Sequence, residues 1–381
     1  MNLTPVNEDA PARRKVRAAF GPIELAVVVP TFNERANVAE LVRRLETVLD
    51  GIEWEVVFVD DNSPDGTADA VADLAREDRR IRVIRRIGRR GLASACAEGL
   101  LASPAPFLAV MDADLQHDEA LLPRMLEALR AGGLDLAVGS RYVAGGGVEG
   151  WDADRAAKSR LATRLSHRVM KVPLADPMSG FFMLRRAAWL AAAPRISGIG
   201  FKILLDVCAS SPAPLRLVEL PYRFRPRLAG ESKLDQGVAW DFLMLLLDKR
   251  LGHIVPARFV AFGLVGGLGV LVHLATLAVL HEGLAMAFGA AQGAAVLVAM
   301  TGNFALNNLL TYRDRRLRGW GLAKGWLSFA AACGVGAVAN WGVASYLFAL
   351  GVPWAPAACA GIVIGSVWNY AITARYTWRK T

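Results

Sequence analysis

Cysteine is scarce in this chain of 381 residues. Its cysteines form no C-x-x-C pair, which excludes a disulfide scaffold and a cysteine-ligated zinc site; they are Cys96, Cys208, Cys333 and Cys359. Charged residues make up only 21% of the chain against 54% hydrophobic residues, which excludes a disordered protein. An apolar signal-peptide run is also lacking, because residues 1–22 are polar and charged, and we expect a flexible tail there.

Glycine-rich phosphate-binding motifs are missing where a nucleotide-binding sheet would need them. The first apolar run leads into P-T-F-N-E-R with no G-x-G-x-x-G, and the chain contains no P-loop. This excludes a dinucleotide-binding dehydrogenase as the first interpretation. A nucleotide bound by this sheet would be held through acidic residues instead.

What is present is an alternation of strands and helices in the first half. Apolar runs predict buried strands at residues 25–30, 55–59, 81–84, 107–111 and 134–138. Helical spacing separates them at 37–49, 68–76, 93–101 and 119–129. This order predicts an α/β fold with a mostly parallel, Rossmann-like sheet covered on both faces and a ligand site at the carboxyl ends of its strands.

Four long apolar stretches follow in the second half. Each runs for about 20 residues or more without Asp, Glu, Lys or Arg, the length that a bilayer core requires; they cover residues 259–280, 285–306, 326–350 and 353–374. Their Gly and Ala content is typical of closely packed membrane helices. Four such stretches in series rarely occur in a soluble core, so we predict a transmembrane domain at 254–381.

Most of the net charge of +9 lies in this second half. Seven of the nine excess positive charges follow Leu251, which speaks against nucleic-acid binding by the nearly neutral front part. The segment 312–324 carries four arginines and a lysine, and the C-terminal tail carries Arg375, Arg379 and Lys380. Because positive loops stay in the cytoplasm, we expect a multi-pass protein of the cell membrane whose catalytic domain and both termini are cytoplasmic.

A shorter apolar segment, V-A-W-D-F-L-M-L-L-L-D-K-R-L at 238–251, joins the two parts. It is too short and too charged to span a bilayer. We predict an interfacial amphipathic helix at 237–253, with Trp240 at the headgroups and Lys249 and Arg250 near lipid phosphates. A core helix of the front domain is the alternative.

Acidic residues follow two of the predicted strands. Asp60 and Asp61, in V-D-D-N-S-P-D-G-T, suit hydrogen bonds to a ribose or a base, although the same letters are typical of a solvated turn. After the fourth strand comes M-D-A-D-L-Q-H. In an extended segment its spacing would put Asp112, Asp114 and Gln116 on one side.

Hard oxygen ligands of this kind suit Mg²⁺ or Mn²⁺ shared with substrate phosphates. His117 follows in the same string and is interpreted as a neighbouring polar contact rather than a further ligand.

A basic set comes next along the chain. Arg141 ends the fifth strand in G-S-R-Y, and after a glycine-rich segment Arg155 and Ser159 share one face of a predicted helix. A second cluster precedes the membrane segment and contains Arg223, Arg225, Arg227 and Lys233. Guanidinium forks suit phosphate oxygens, so a lipid-linked phosphate is the natural ligand. Individually, Arg223 and Arg225 fit a solvated loop better.

Seven strings in this order resemble the dolichol- or polyprenol-phosphate mannose synthases of glycosyltransferase family 2. They are P-T-F-N-E-R (30–35), V-D-D-N-S-P-D-G-T (59–67), M-D-A-D-L-Q-H (111–117), G-S-R-Y (139–142), D-P-M-S-G-F-F (176–182), F-K-I-L-L-D (201–206) and G-E-S-K-L (230–234). The resemblance implies a GT-A catalytic domain at 23–236. The four-helix part is similar to the GtrA-type membrane domain in hydropathy and in polar positions such as Asn303, Asn307 and Asn308.

Carried over by position, the resemblance implies the site residues. Nucleotide-sugar contacts would be made by Pro30, Phe32, Glu34, Val59, Asp61, Asp112, Ala113 and Asp114. Phe32 replaces a common tyrosine, so a hydroxyl contact is absent. The metal, Mg²⁺ or Mn²⁺, would be held by Asp112, Asp114 and Gln116. The lipid phosphate would be bound by Arg141, Arg155, Ser159, Arg227 and Lys233, and the catalytic set would be Asp112, Asp114, Arg141 and Arg227.

The implied reaction is inverting transfer of one hexose from a nucleotide sugar to the phosphate of a polyprenyl or dolichyl phosphate. GDP-mannose is the favoured donor, and a UDP-sugar such as UDP-glucose is the alternative. The acceptor phosphate has a second pKa of about 6 and is largely ionised at pH 7, so no strong general base is needed, and we identify none.

Two other functions are disfavoured. For translocation of a lipid-linked sugar, the apolar stretches offer no Asp, Glu, Lys or Arg to an ion pathway, and His273 in the first of them suits helix packing. For a processive polysaccharide synthase, the typical Q-x-x-R-W string is absent. We also expect homo-oligomers through the membrane domain.

Overall fold

The computed structural model describes residues 21–148, 161–225, 237–252 and 254–379. The chain divides into two compact units, one of residues 1–198 with 202–231, and the other of residues 232–381 with 199–201. Each unit is built on a different kind of secondary structure, a sheet in the first and long helices in the second.

A seven-stranded sheet forms the first unit. Its strands are β1 (Leu25–Thr31), β2 (Trp54–Asp60), β3 (Ile81–Arg85), β4 (Phe107–Val110), β5 (Leu136–Ser140), β7 (Phe182–Arg185) and β8 (Leu217–Pro221), in the order β3-β2-β1-β4-β7-β5-β8. All neighbours are parallel except β7, which runs antiparallel to β4 and β5. Two short strands, β6 (Gly147–Val148) and β9 (Arg223–Phe224), pair with each other. The predicted mostly parallel α/β sheet is confirmed.

Both faces of the sheet are buried, which explains the continuous apolar runs. Along β1, Leu25 and Val27 pack in one core, whereas Ala26 and Val28 pack in the other. The first core also contains side chains of α1 (Arg35–Val48), α2 (Thr67–Glu77) and α4 (Leu122–Arg130). The second contains side chains of α3 (Leu92–Leu101), α5 (Arg186–Ala192) and α6 (Ile203–Ser210).

The elements between residues 182 and 221 were not predicted from the sequence. Strands β7 and β8 have four and five residues, and helices α5 and α6 have seven and eight. Runs this short carry too few periods to distinguish a strand from a helix. The omission matters because β7 lies between β4 and β5 and places the D-P-M-S-G-F-F segment at the ends of those strands.

The second unit consists of helices α7 (Gly237–Leu251), α8 (Ala257–Ala278), α9 (Phe288–Leu306), α10 (Trp320–Ala349) and α11 (Trp354–Ile372). Three helical segments among the described residues are long and apolar enough to cross a membrane, namely Ala257–Gly283, Phe288–Thr311 and Trp320–Ala349. The fourth predicted span coincides with α11 and stays a prediction. Helix α7 belongs to this unit and not to the front domain; its interfacial position also stays a prediction.

Helices α8 to α11 form two hairpins with a common sequence pattern. The first helices share F-x₆-G, at 262–269 and 329–336. The second helices lead into N-F-A-L-N-N-L-L-T-Y-R at 303–313 and N-Y-A-I-T-A-R-Y-T-W-R at 369–379. Both of these segments contain a π-helical turn, at Asn307–Thr311 and Thr373–Thr377.

Contacts between the hairpins follow the same repeat. Tyr312 and Trp378, which follow the two π-helical turns, stack with ring centroids 4.2 Å apart. Two further ring pairs correspond to each other, Phe262 with Tyr370 and Phe329 with Phe304, each with centroids 5.8 Å apart. The ring contacts therefore repeat with the sequence pattern, and equivalent positions in the two hairpins can be compared directly.

Candidate active site

The candidate site begins where β4 ends. Asp112, Asp114 and Gln116 follow this strand, but the segment is not extended, because Leu115 has a φ of +62°. The predicted extended arrangement is therefore wrong. The Leu115 side chain is 3% exposed and packs in the first core, so its burial compensates for the strain of a left-handed backbone. A turn rather than a strand orients the acids.

Two carboxylates and one amide can serve a hard cation here. The Asp112 side chain is 34% exposed, whereas Asp114 is largely buried and accepts the Gln116 backbone N–H at 3.2 Å. The Gln116 side-chain nitrogen donates to the Arg225 carbonyl at 2.9 Å, so its oxygen is the atom left as a ligand.

No group of three or more His, Cys, Asp or Glu side chains in the described ranges could hold a metal ion. The oxygens of Asp112, Asp114 and Gln116 fit Mg²⁺ or Mn²⁺ as part of a coordination shell that substrate oxygens would complete.

His117 is buried beside Asp112 and supports it. Its Nδ1 accepts the Asp112 backbone N–H at 3.1 Å, which assigns the proton of the neutral ring to Nε2, 3.8 Å from Asp112 Oδ2. The ring stacks on Phe181, with centroids 5.1 Å apart, and meets Tyr222 edge-on. Burial lowers the pKa of His117 to about 4, so the ring is neutral at pH 7. Its position is that of a polar contact of Asp112.

The D-P-M-S-G loop lies against the Asp112 carboxylate. A Cβ at Gly180 would lie 3.1 Å from Asp112 Oδ2, which is tighter than ordinary contact. The Ser179 hydroxyl donates to the Gly139 carbonyl at 2.7 Å and so ties the loop to β5. A side chain at position 180 would therefore push against the Asp112 carboxylate, because the loop backbone approaches it closely.

Arg141, at the end of β5, is already engaged by a carboxylate. Its backbone N–H, Nε and Nη2 donate to Asp176 at 3.1, 2.7 and 2.7 Å. Burial lowers the pKa of Arg141, but the hydrogen bonds and charge of Asp176 outweigh it, and the pKa lies above its ordinary value. One edge of the guanidinium is therefore not available to a lipid phosphate. Asp176 is the first residue of the D-P-M-S-G-F-F string, but no role was predicted for it from the sequence.

A second cation, the half-buried Lys202, was also not predicted. Its Nζ donates to the Met178 carbonyl at 3.4 Å. Burial and the nearby Arg141 lower the pKa of Lys202 to about 8, whereas Asp112 and Asp176 act in the opposite direction. The signal available in the sequence was a lysine inside the otherwise apolar start of F-K-I-L-L-D. Asp112, Asp176 and Arg141 therefore lie near Lys202 at this end of the sheet.

The predicted nucleotide contacts divide between surface and core. Val59 and Ala113 are 0% and 2% exposed and pack in opposite cores, so their side chains cannot line a pocket and only their backbones could contact a ligand. Pro30, near the end of β1, and Phe32, just after it, are half-buried, and the Arg90 guanidinium lies 4.6 Å from the centre of the Phe32 ring. An aromatic ring and a guanidinium plane both offer flat faces on which a nucleobase can stack.

Hydrogen bonds join the loops that follow β1 and β2. The Asn33 and Glu34 backbone N–H groups donate to the hydroxyls of Ser63 and Thr67 at 2.9 and 3.0 Å. The Glu34 carboxylate accepts the Asn37 amide at 2.8 Å, at the start of α1. The two loops therefore form one wall of the site.

The two aspartates after β2 have different surroundings. Asp60 is 0% exposed and accepts the Ser63 backbone N–H at 2.8 Å, so it is the turn residue that the local sequence suggested as an alternative. Asp61 accepts Arg86 Nε and the Gly91 N–H, both at 2.7 Å. Burial raises the pKa of Asp61, against the effects of Gly91 and Arg86. A nucleotide contact at Asp61 would use a carboxylate that already holds a neighbouring loop.

Four predicted lipid-phosphate residues, Arg155, Ser159, Arg227 and Lys233, lie outside the described residues. The Arg225 side chain is 40% exposed and forms ion pairs with Asp118 and Glu119 at 2.8 and 3.0 Å. It therefore contacts the segment that follows the M-D-A-D-L-Q-H string.

The sheet order, the paired acids after β4 and the apolar helices of the second unit together define a GT-A glycosyltransferase with a membrane domain. Residues 26–189 match the family model "Glycosyl transferase family 2". Residues 261–378 match "GtrA/DPMS, transmembrane domain".

Dolichol-phosphate mannosyltransferase of Pyrococcus furiosus is 35% identical over 360 residues, which cover 93% of this chain and 99% of that protein. The enzyme of the same name from Saccharomyces cerevisiae is 37% identical over 238 residues, covering 59% and 86%. Among solved structures, glucosyl-3-phosphoglycerate synthase from Mycobacterium tuberculosis aligns with a TM-score of 0.45 and 17% identity over 60% of this chain and 78% of its own. The chain belongs to the dolichol-phosphate mannosyltransferase family.

Proposed function

We propose that this protein transfers one mannose from GDP-mannose to the phosphate of a polyprenyl phosphate of the dolichyl type, at the cytoplasmic face of the membrane. The observation that carries the proposal is the grouping at the end of β4, where Asp112 and the ion pair of Arg141 with Asp176 lie near Lys202. The names of the relatives, and the match to nearly the whole archaeal one, support the same reaction.

Both substrates of this reaction are anions, so the site must offset negative charge. Lys202 would donate to a phosphate oxygen, because its described partner is a carbonyl at 3.4 Å and not a carboxylate. Asp176 holds the Arg141 guanidinium in one orientation beside it. Fixed cations contribute by positioning as well as by charge, since the attacking phosphate must be held in line with the leaving group.

In the chemical step, an acceptor phosphate oxygen would form a bond to the anomeric carbon while the bond from that carbon to the donor diphosphate breaks. A single displacement inverts the configuration. The acceptor needs no strong base, because its second pKa of about 6 leaves it largely ionised at pH 7. His117 is neutral and enclosed, and it keeps Asp112 in place through the backbone hydrogen bond.

Asp112, Asp114 and Gln116 would hold Mg²⁺ or Mn²⁺. When bound, such an ion supplies neutralisation of the charge that develops on the departing nucleoside diphosphate.

The test is a transfer assay with the full-length protein in lipid nanodiscs, using polyprenyl phosphate and labelled GDP-mannose, UDP-glucose and other nucleotide sugars. We expect one lipid-linked mannose from GDP-mannose, loss of product with EDTA and recovery with Mg²⁺ or Mn²⁺. Product from UDP-glucose alone would overturn the donor. Transfer that survives EDTA would overturn the dependence on a divalent metal. Chains of several sugars would overturn the transfer of one sugar per acceptor. Sealed vesicles of known orientation would test the cytoplasmic face.

A further inference from the structure

A basic cavity lies at one end of the second unit, beyond the last turns of α9 and α11. Its volume is about 660 Å³, and it is lined by Arg315, Ala371, Ala374, Arg375, Tyr376 and Arg379. The cavity is open to the surface. Three of the six lining residues are arginines and none is acidic, so the cavity would favour an anion.

The repeat within this unit provides an internal comparison. Arg313 and Arg379 occupy equivalent positions after the two π-helical turns, and Arg313 pairs with Asp241 of α7 at 3.4 Å. Arg375 and Arg379 form no ion pair with the part of the chain that the structure describes. The position equivalent to Arg375 in the first hairpin is Leu309. One hairpin end is thus neutralised within the fold, whereas the other keeps its charge around a cavity.

The wall of the cavity is held by the packed centre of the unit. Arg315 Nη1 donates to the Trp378 carbonyl at 3.3 Å. Trp378 is 0% exposed, stacks on Tyr312 and donates its indole N–H to Asn308 Oδ1 at 3.1 Å. Arg315 is therefore preorganised, while Arg375 and Arg379 are exposed and able to turn towards a ligand.

An apolar stripe leads along α11 to this cavity. Val363 and Val367 are 58% and 47% exposed, and they precede Ala371 and Arg375 at steps of four residues, which places all of them on one helix face. Small alanine side chains leave room beside the helix. The stripe suits a lipid chain, and the arginines at its end suit the phosphate of that lipid.

We propose that this cavity is a binding site for the phosphate headgroup of a membrane lipid, with Arg375 and Arg379 as phosphate forks and Arg315 as the fixed wall. The site is built from residues of the second unit alone. The proposal does not depend on the proposed function, because its ligand could be a structural phospholipid as well as a polyprenyl phosphate.

The experiment measures lipid binding to the purified full-length protein by native mass spectrometry. The probes are phosphatidylglycerol, polyprenyl phosphate and phosphatidylcholine, each added to delipidated protein. The test variant carries Arg375→Gln with Arg379→Gln. The matched control carries Arg316→Gln with Arg318→Gln, which removes the same charge from exposed side chains that do not line the cavity.

We expect the test variant to lose affinity for phosphatidylglycerol, polyprenyl phosphate or both by at least about 10-fold more than the control, because each lost guanidinium removes charge-assisted hydrogen bonds. Loss for both lipids supports a general phosphate-lipid site, and loss for polyprenyl phosphate alone supports an acceptor-lipid site. Equal losses in the two double variants, or a loss for phosphatidylcholine as large as for the acidic lipids, would overturn the proposal.

A second variant separates a loss of lipid binding from a loss of folding. Arg379→Lys keeps the charge but loses the fork, so we expect a partial loss of affinity together with an unchanged thermal unfolding temperature. Wild-type affinity in this variant and in Arg375→Lys would refute the role of the forks.

Discussion

Replacing Asp176 by Asn tests whether its buried ion pair holds the candidate site together. Asp176 accepts hydrogen bonds from the backbone N–H, Nε and Nη2 of Arg141. Asp135 accepts from the same three atoms of Arg216, each at 3.0 Å. The two pairs differ in exposure, since the Asp176 and Arg141 side chains are 0% and 9% exposed and those of Asp135 and Arg216 are 22% and 65% exposed. Asp135→Asn is therefore a matched control.

The magnitude follows from burial. Asn offers one acceptor oxygen and turns an NH₂ group towards a guanidinium donor, so the largely buried Arg141 would lose the Asp176 carboxylate that holds it. Breaking a buried pair in this way costs about 3–5 kcal/mol of unfolding free energy. An exposed pair contributes little, because solvent screens it. Transfer activity should also fall in Asp176→Asn, since the orientation of Arg141 is lost.

The assay is a urea titration of both full-length variants in one detergent, with hydrogen exchange of the β5 amides reporting the first unit, and turnover measured in parallel. We expect a large loss of stability for Asp176→Asn and almost none for Asp135→Asn. Similar losses in the two variants would refute the reasoning from burial. Full activity in a destabilised Asp176→Asn protein would refute the positioning of Arg141.

Four further predictions concern single residues. Asp114→Ala should lower turnover more than about 100-fold without unfolding the protein, and near-normal turnover in a folded variant would remove the metal assignment. Lys202→Met should lower kcat/KM about 10- to 100-fold while the thermal unfolding temperature stays the same or rises, because a half-buried charge is removed. A loss of stability with unchanged kcat/KM would make Lys202 merely structural. Gly99→Ala should cost about 1–3 kcal/mol in urea titrations, because its Cβ would lie 2.4 Å from Val28 Cγ1. The Arg216 hydrogen bond lowers the pKa of Asp135, so the small contribution of this ion pair to the free energy of unfolding should disappear as the pH falls through the lowered pKa. A stability difference between the wild-type protein and Asp135→Asn that persists in acid would contradict this.

The first two strands could be predicted from the sequence because their burial is continuous. β1 and β2 are covered on both faces, so nearly every residue is apolar and the run can be recognised without knowing its neighbours. β7 has four residues and is defined by pairing with β4 and β5, which lie far away in the sequence. Its existence could not be inferred from local spacing.

The sequence by itself determined the class of the protein, the acids after β4 and the apolar helices, because each of these depends on residue types within a short segment. The tertiary structure alone decided which of these groups act together. It pairs Arg141 with Asp176, brings Lys202 to the acids and withdraws the Val59 side chain into a core. Ion pairing, desolvation and burial arise from contacts between distant segments, and no local pattern records them.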